Sequence, residues 1–272
     1  MKSIWISEMV FKPTGPLTFR QMPSGILHIM SYPFMPPTTM SGFLKRLMDI
    51  ADGKEWPGYG EDWFGKGAGK EFTLTLDKTY RALGAFPAPD RWRIHKTRRH
   101  GPKNFKHREF SQILRSSHEE NYELHHWDYL FCETLVGWVA AKEKDPLEHL
   151  KSLQNFGGKA GKEGYLFVSE VRDPTEFEIA RGSFKPLGLV TLPYRPGSGT
   201  FYNLYGHHWN DGYQWTNGET GGVDGYVQLG AWWNADRVEG DYWAADEGTG
   251  FPANSPDAFI TGDAEHFYNS ES

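Results

Sequence analysis

The chain has a single cysteine, Cys132, so no disulfide can form within it, and a reducing, cytoplasmic setting is expected. Cys132 follows the apolar run Tyr129-Leu130-Phe131, which suits a buried, inert thiol better than a nucleophile. Long hydrophobic runs are also lacking. The longest, Leu135–Ala141, is far too short to span a bilayer, and the opening MKSIWISEMVF has no extended apolar core of a secretion signal, so no membrane association is expected. Neither a His-x₃-His nor a Cys-x₂-Cys pair occurs. The adjacent pairs His125–His126 and His207–His208 point their members apart on an extended backbone, so no metal site and no cofactor is expected. Two Gly/Lys clusters, Gly65–Lys70 and Gly157–Gly164, fail as Walker A loops. Phe64 and Phe156 stand where the leading glycine belongs, and Glu71 and Glu163 where Ser or Thr is required.

What is present is segregated charge and many aromatic rings. The 272 residues suffice for one large domain or two small ones, and carry a net charge of −6. Yet Arg91–Arg108 (RWRIHKTRRHGPKNFKHR) holds eight Lys/Arg and three His with no acid, leaving 21 basic against 35 acidic residues elsewhere. Eight positive charges in one segment repel one another unless an anion neutralises them, so the segment points to nucleic acid. Aromatics make up 15% of the chain, with 11 Trp, more rings than a core of this size requires; Trp92 and Phe105, interleaved among the cations, suit stacking on bases. A solvated surface loop is the bland alternative, and with it a protein-interaction module that never touches nucleic acid.

The pattern along the chain predicts an α+β fold. Ile4–Phe11 reads as a strand, and a short strand is placed near Ile26–Met30 within a Pro/Gly/Ser-rich loop. Met40, Phe43, Leu44, Leu47, Met48 and Ile50 form a helical stripe, with Thr38 or Thr39 as N-cap, Gly53 as stop, and Lys45 and Arg46 off the buried face. Glu71–Leu76 alternates as a strand, and Tyr80–Phe86 extends the sheet or turns away from it. The Gly101-Pro102 break predicts an excursion or hairpin across the basic segment, followed by a short helix at Phe110–Arg115. Tyr129–Ala141 reads as one buried strand, Pro146–Leu153 as an amphipathic helix with Leu147, Leu150 and Leu153 inward, and Tyr165–Val171 as a strand. This β-α-β, insertion, β-α-β order is the ferredoxin-like (RRM-like) signature. The organisation expected is a domain over 1–175 with a basic insertion at about 87–118, a smaller β-rich extension over 176–233, and an acidic tail over 234–272. That tail, with nine acids against one Arg, is expected to wrap loosely or be partly disordered.

Gly157–Gly164 (GGKAGKEG) lies between helix and strand, where adjacent glycines let the backbone approach phosphate and Lys159 and Lys162 add charge; a plain flexible turn is the alternative. His95, His100 and His107 lie among cations that favour the neutral imidazole, as a metal-free ribonuclease base needs, although any phosphate-binding arm looks the same. No catalytic residue is assigned.

The run Thr18–Leu47, with Ser31-Tyr32-Pro33-Phe34, then Pro36-Pro37-Thr38-Thr39, then Gly42-Phe43-Leu44, resembles the N-terminal signature of Cas5 proteins of type I CRISPR effector complexes (Cascade). Gly157-Gly158-Lys159, Gly161 and Gly164 before a strand resemble the Gly-rich loop of the wider repeat-associated RNA-binding superfamily. The resemblance implies a non-catalytic antiviral-defence subunit that holds the 5′ handle of the crRNA and caps the Cas7-type backbone filament. A Cas8-type large subunit would dock nearby, and target DNA would be met through the assembled complex. It implies an RNA-binding set of Arg20, Tyr32, Thr38, Thr39 and Lys45. To these it adds Arg91, Trp92, Arg93, Lys96, Arg98, Arg99, His100, Lys103, Phe105, Lys106, His107 and Arg108 on the inserted thumb, and Lys159 and Lys162 on the Gly-rich loop. In one subtype such a protein itself cuts precursor RNA with a Tyr, Lys and His group, which leaves a metal-independent endoribonuclease as the alternative, with Lys96, His100 and His107 as the residues that chemistry would draw on.

Overall fold

The computed structural model describes residues 3–21, 28–53, 79–102, 122–208, 226–246, 248–258 and 260–261. The predicted strand Glu71–Leu76 and helix Phe110–Arg115 lie outside them.

Strand β1 (Ser3–Pro13) is the centre of the fold. Its side chains alternate: Ile4 and Ile6 enter one cluster with Leu83, Ala140, Phe177, Trp243 and Phe251, while Met9 and Phe11 enter the main core. Short strands β2 (Phe19–Arg20), β3 (His28–Ile29) and β4 (Ser31–Tyr32) follow, β2 pairing antiparallel with β4. Helix α1 (Pro37–Ala51) buries Met40, Phe43, Leu44 and Leu47 against that core, with Phe43 edge-on to Phe11 at 6.0 Å between ring centroids. The helix is not capped by Thr38 or Thr39, as the sequence suggested. Pro36 is the N-cap residue and Pro37 the first helical residue, because a proline ring presets helical φ where the N–H would have no partner anyway. Both threonines therefore stand within the first turn, and the helix ends at Asp52, just before Gly53.

Strand β5 (Tyr80–Pro87) is buried throughout and leads into a long hairpin, β6 (Trp92–Pro102) and β7 (Tyr122–Cys132). The chain returns as β8 (Leu135–Ala141). Tyr129–Ala141 is thus two strands rather than one. The break falls at Glu133-Thr134, where an exposed carboxylate interrupts the apolar run. A short helix α2 (Lys144–His149) and a 3₁₀ turn (Leu150–Leu153) bury Leu147, Leu150 and Leu153, as their spacing predicts. Strands β9 (Gly157–Lys159) and β10 (Tyr165–Val171) complete the unit.

β8 runs antiparallel along β1 on one side, β5 pairs with β8, and β10 takes the C-terminal half of β1 on the other side. The order β5-β8-β1-β10, with α1 after the first core strand and α2 after the third, is that of a ferredoxin-like α+β fold. The basic hairpin is inserted between its second and third core strands.

The remaining chain continues this sheet. Strand β11 (Thr175–Pro186) pairs with the N-terminal half of β1, and the eight-stranded sheet is completed by β15 (Val238–Ala244) and β16 (Thr249–Pro252). A second sheet comprises β12 (Val190–Thr191), β13 (Thr200–His208), β14 (Tyr226–Trp233) and β17 (Ile260–Thr261). Its Tyr202 and Trp233 pack on Phe34 at 5.2 and 5.4 Å. Within the acidic segment from residue 234, the packing is aromatic rather than aliphatic: Tyr242, Trp243 and Phe251 are almost fully buried. Among the described residues no helix is long and apolar enough to cross a membrane.

Candidate nucleic-acid interface

The hairpin arms pair without interruption from Trp92↔Cys132 to Pro102↔Tyr122, so each residue of that stretch faces a fixed partner on β7. Directly opposed residues share a face. One face starts half-buried with Trp92 and Ile94, then turns polar as it leaves the core, carrying Lys96 opposite Asp128 and Arg98 opposite His126. The other carries Arg93 opposite Phe131, His95 opposite Tyr129 and Thr97 opposite Trp127. Arg91, Arg93, His95, Lys96 and Arg98 are all exposed. The alternation therefore splits the cations between two faces of a projecting ribbon. Arg99 and His100 continue the strand backbone, whereas Lys103, Phe105, Lys106, His107 and Arg108 lie outside the described residues.

A polar joint fixes the base of this ribbon. Thr18, fully buried, donates its hydroxyl to the Asp128 carbonyl at 2.9 Å and accepts from the Trp127 indole at 3.1 Å. Its backbone N–H donates to the Glu163 carbonyl and its carbonyl accepts from the Lys162 N–H, both at 2.8 Å. The Tyr129 hydroxyl donates to the Glu163 carboxylate at 2.8 Å. One threonine thus locks the hairpin to the Gly-rich loop, and Leu17 adds reciprocal backbone bonds to Leu130 at 3.0 and 2.7 Å.

The Gly-rich loop is not merely a flexible turn. Gly157–Lys159 forms strand β9 on β10, and the loop then doubles back through Gly161 (φ +68°) and Gly164 (φ +114°). A Cβ at Gly161 would lie 2.7 Å from the Thr18 carbonyl oxygen, and one at Gly164 2.5 Å from Leu17, so both glycines are required by conformation and by space. This brings the loop against α1. Thr38, Thr39, Gly42, Phe43, Arg46 and Ile50 of the helix and Gly158, Lys159 and Gly161 of the loop line a groove of about 730 Å³. Two motifs more than a hundred residues apart in sequence share this groove, with Arg46 and Lys159 as its cations.

The other sequence-predicted residues divide. Lys162 is exposed beside the groove. Lys45 forms an ion pair with Asp49 one turn on. Arg20 is half-buried on β2, paired with Ser31. Tyr32 is buried, stacked on Phe34 at 5.5 Å, and its hydroxyl donates to the Asn203 carbonyl, so its side chain serves the core. Trp92 is half-buried against Trp233 at 5.5 Å.

Two residues that the sequence did not mark, His28 and Asp128, meet at the ribbon beside His126, which the sequence marked only as one of an adjacent histidine pair. The His28 imidazole is hydrogen-bonded to the Asp128 carboxylate at 3.1 Å, and its ring lies 5.8 Å from that of His126. β3 brings this about by pairing parallel with β7, His28 beside His126. No periodicity in a two-residue strand announces such a pairing. Among the described residues no group of three or more His, Cys, Asp or Glu is placed to hold a metal ion.

No protein-family model matches this sequence, and no curated protein matches it. Among solved structures, it is similar to a chain of the Type III-B Cmr-beta complex bound to cognate target RNA and AMPPnP, at 13% identity and a TM-score of 0.47, over 85% of this chain and 86% of that one. A chain of the same kind of complex bound to cognate target RNA alone gives 13% identity and a TM-score of 0.43 over the same shares.

Proposed function

We propose that this protein is a guide-RNA-binding subunit of a CRISPR effector complex, one that grips the 5′ handle of the crRNA with the β6–β7 ribbon and the groove between α1 and the Gly-rich loop. The observation that carries the reading is the joint at Thr18, which holds a projecting cationic ribbon and a cation-edged groove as one rigid surface. A phosphate backbone needs several cations at fixed spacing, and such a joint keeps them preorganised. The Tyr32–Gly42 signature supports the narrower assignment to a Cas5-type subunit of a type I complex that ends a Cas7-type filament, lies beside a Cas8-type subunit, and meets target DNA only in the assembly. In that setting Thr38, Thr39 and Lys159 bind RNA in the groove, and Arg20, Lys45, Lys162 and the basic segment Arg91–Arg108 add further contacts. Mixing the purified chain with repeat-derived RNA and with Cas7-type subunits tests both levels. RNA binding without filament capping would leave the broad reading and remove the narrow one; no RNA binding would remove both.

One observation favours a second reading, a metal-independent endoribonuclease. His28, oriented by Asp128, and His126 stand together on one ribbon face, with Lys96 and Arg98 opposite Asp128 and His126 in the register. One imidazole would take the proton of a 2′-hydroxyl as its oxygen attacks phosphorus. The other, protonated, would give a proton to the departing 5′-oxygen, leaving a 2′,3′-cyclic phosphate and a 5′-hydroxyl. Incubation with repeat RNA in EDTA decides this reading. Cleavage lost in His28→Ala and in His126→Ala establishes it, and intact RNA with the wild-type protein removes it.

A further inference from the structure

Phe131 differs from the other rings in its row in being exposed. On its face of β7 the preceding rings are covered and their polar tips satisfied: Trp127 is 7% exposed and bonded to Thr18, and Tyr129 is 9% exposed and bonded to Glu163. Phe131, next in the same row, is 45% exposed. Arg93 lies directly opposite it in the register, and the His95 ring meets its ring edge-on at 6.1 Å. The Arg93 guanidinium is steadied by donating to the Trp92 carbonyl at 2.7 Å. Beside these residues is a cavity of about 600 Å³, bounded by the Pro13–Pro16 turn on one side and by Asp90, Arg91, Trp92 and Cys132 on the other. That size falls in the range of about 300–1,000 Å³ typical of small-ligand sites.

We propose that this cavity is a pocket for one unpaired nucleotide, its base stacked on Phe131 and its two flanking phosphates held one each by Arg91 and Arg93. The proposal rests on the RNA-binding reading above and adds a site and a residue to it. A bare aromatic ring framed by cations suits a planar ring that carries an anion. It does not suit a broad apolar partner surface, because the neighbouring rings on the ribbon are already buried. Asp90 repels phosphate, so the two phosphates lie toward the guanidiniums and the base edge toward the carboxylate. Trp92, one of the two aromatics that the sequence singles out for stacking, packs instead against Trp233.

The test uses the full chain and single-stranded repeat-derived RNA, with affinity read by fluorescence anisotropy. Phe131→Ala and Phe131→Leu should each weaken binding by about 5- to 150-fold, the range for loss of one base–aromatic stack, and Phe131→Trp should restore it. Thermal melting of each variant checks that the exposed position leaves the fold intact. The RNA is then scanned with single abasic residues. At one position the abasic loss and the Phe131→Ala loss should fail to add, because both remove the same stack. Wild-type affinity in both Phe131→Ala and Phe131→Leu would overturn the pocket while leaving the RNA reading in place. So would loss in Phe131→Ala with full rescue by Phe131→Leu, since leucine fills space without stacking. Failure of the wild-type chain to bind any RNA would overturn both.

Discussion

If the ribbon grips phosphates, removing two of its cations must change how binding depends on salt, beyond its strength at one condition. Arg91, Arg93, Lys96 and Arg98 are exposed; Arg91 directly precedes, and the other three sit on, a strand whose register is fixed along its length. If each neutralises one phosphate of a single strand, the ribbon contributes a slope of about −2.8 in log affinity against log salt, at about −0.7 per phosphate. From 50 to 200 mM salt that amounts to about a 50-fold loss of affinity. The double variant Lys96→Ala/Arg98→Ala should halve the ribbon's slope to about −1.4 and reduce the loss to about sevenfold. Both residues are solvent-exposed, and neither substitution opens a cavity, so stability should be unchanged to within about 0.5 kcal/mol. Anisotropy titrations of one labelled RNA at several salt concentrations read the slope directly. A slope shared by wild type and variant, even with weaker binding, would refute the claim that these cations meet phosphates.

Other expectations concern the joint and the thiol. Thr18→Val keeps the shape but removes a hydroxyl that makes two buried hydrogen bonds, so denaturant unfolding should show a loss of about 2 kcal/mol. Gly161→Ala forces a side chain into a positive-φ position against the Thr18 carbonyl; a loss of about 1–3 kcal/mol is expected, with weaker RNA binding at the groove. Burial pushes the Cys132 thiol up to about 12 from 9.0, so the protonated form dominates at pH 8 with about a thousandfold less thiolate than an ordinary cysteine. Alkylation at pH 8 should therefore be slow in the native chain and become rapid in denaturant; fast native labelling would contradict the burial argument.

The parts of the fold legible in the sequence are those written in periodicity and local composition. Met40–Leu47 and Leu147–Leu153 announce their helices because each buries one stripe, while Ile4–Phe11 and Tyr165–Val171 announce strands by their β-branched and aromatic residues. The basic segment was expected to form a hairpin, but Gly101-Pro102 is no break in it: both residues lie on β6, paired with Glu123 and Tyr122. Half of the hairpin is β7, of which only Tyr129–Cys132 was read as strand, and as part of the core, because Tyr129 and Leu130 are buried by the Leu17–Thr18 segment. The acidic C-terminal segment looked too poor in aliphatics to pack, yet Tyr242, Trp243 and Phe251 bury enough ring area to seat β15 and β16 on the sheet. At the candidate site, charge and glycine spacing marked the ribbon and the loop. They could not show that Thr18 joins them, that Tyr32 points inward, or that His28 reaches Asp128, because these depend on pairings between segments a hundred or more residues apart.

The most direct test of the central claim is a map of where RNA touches the protein. Ultraviolet crosslinking of the full chain to a crRNA carrying its 5′ handle, followed by peptide mass spectrometry, gives that map. Crosslinked peptides should fall in 91–102 and 122–132 of the ribbon and in 38–50 and 157–164 of the groove. Crosslinks confined to the extension beyond residue 175, or none above those of a chain with Arg93, Lys96 and Arg98 changed to Glu, would contradict it.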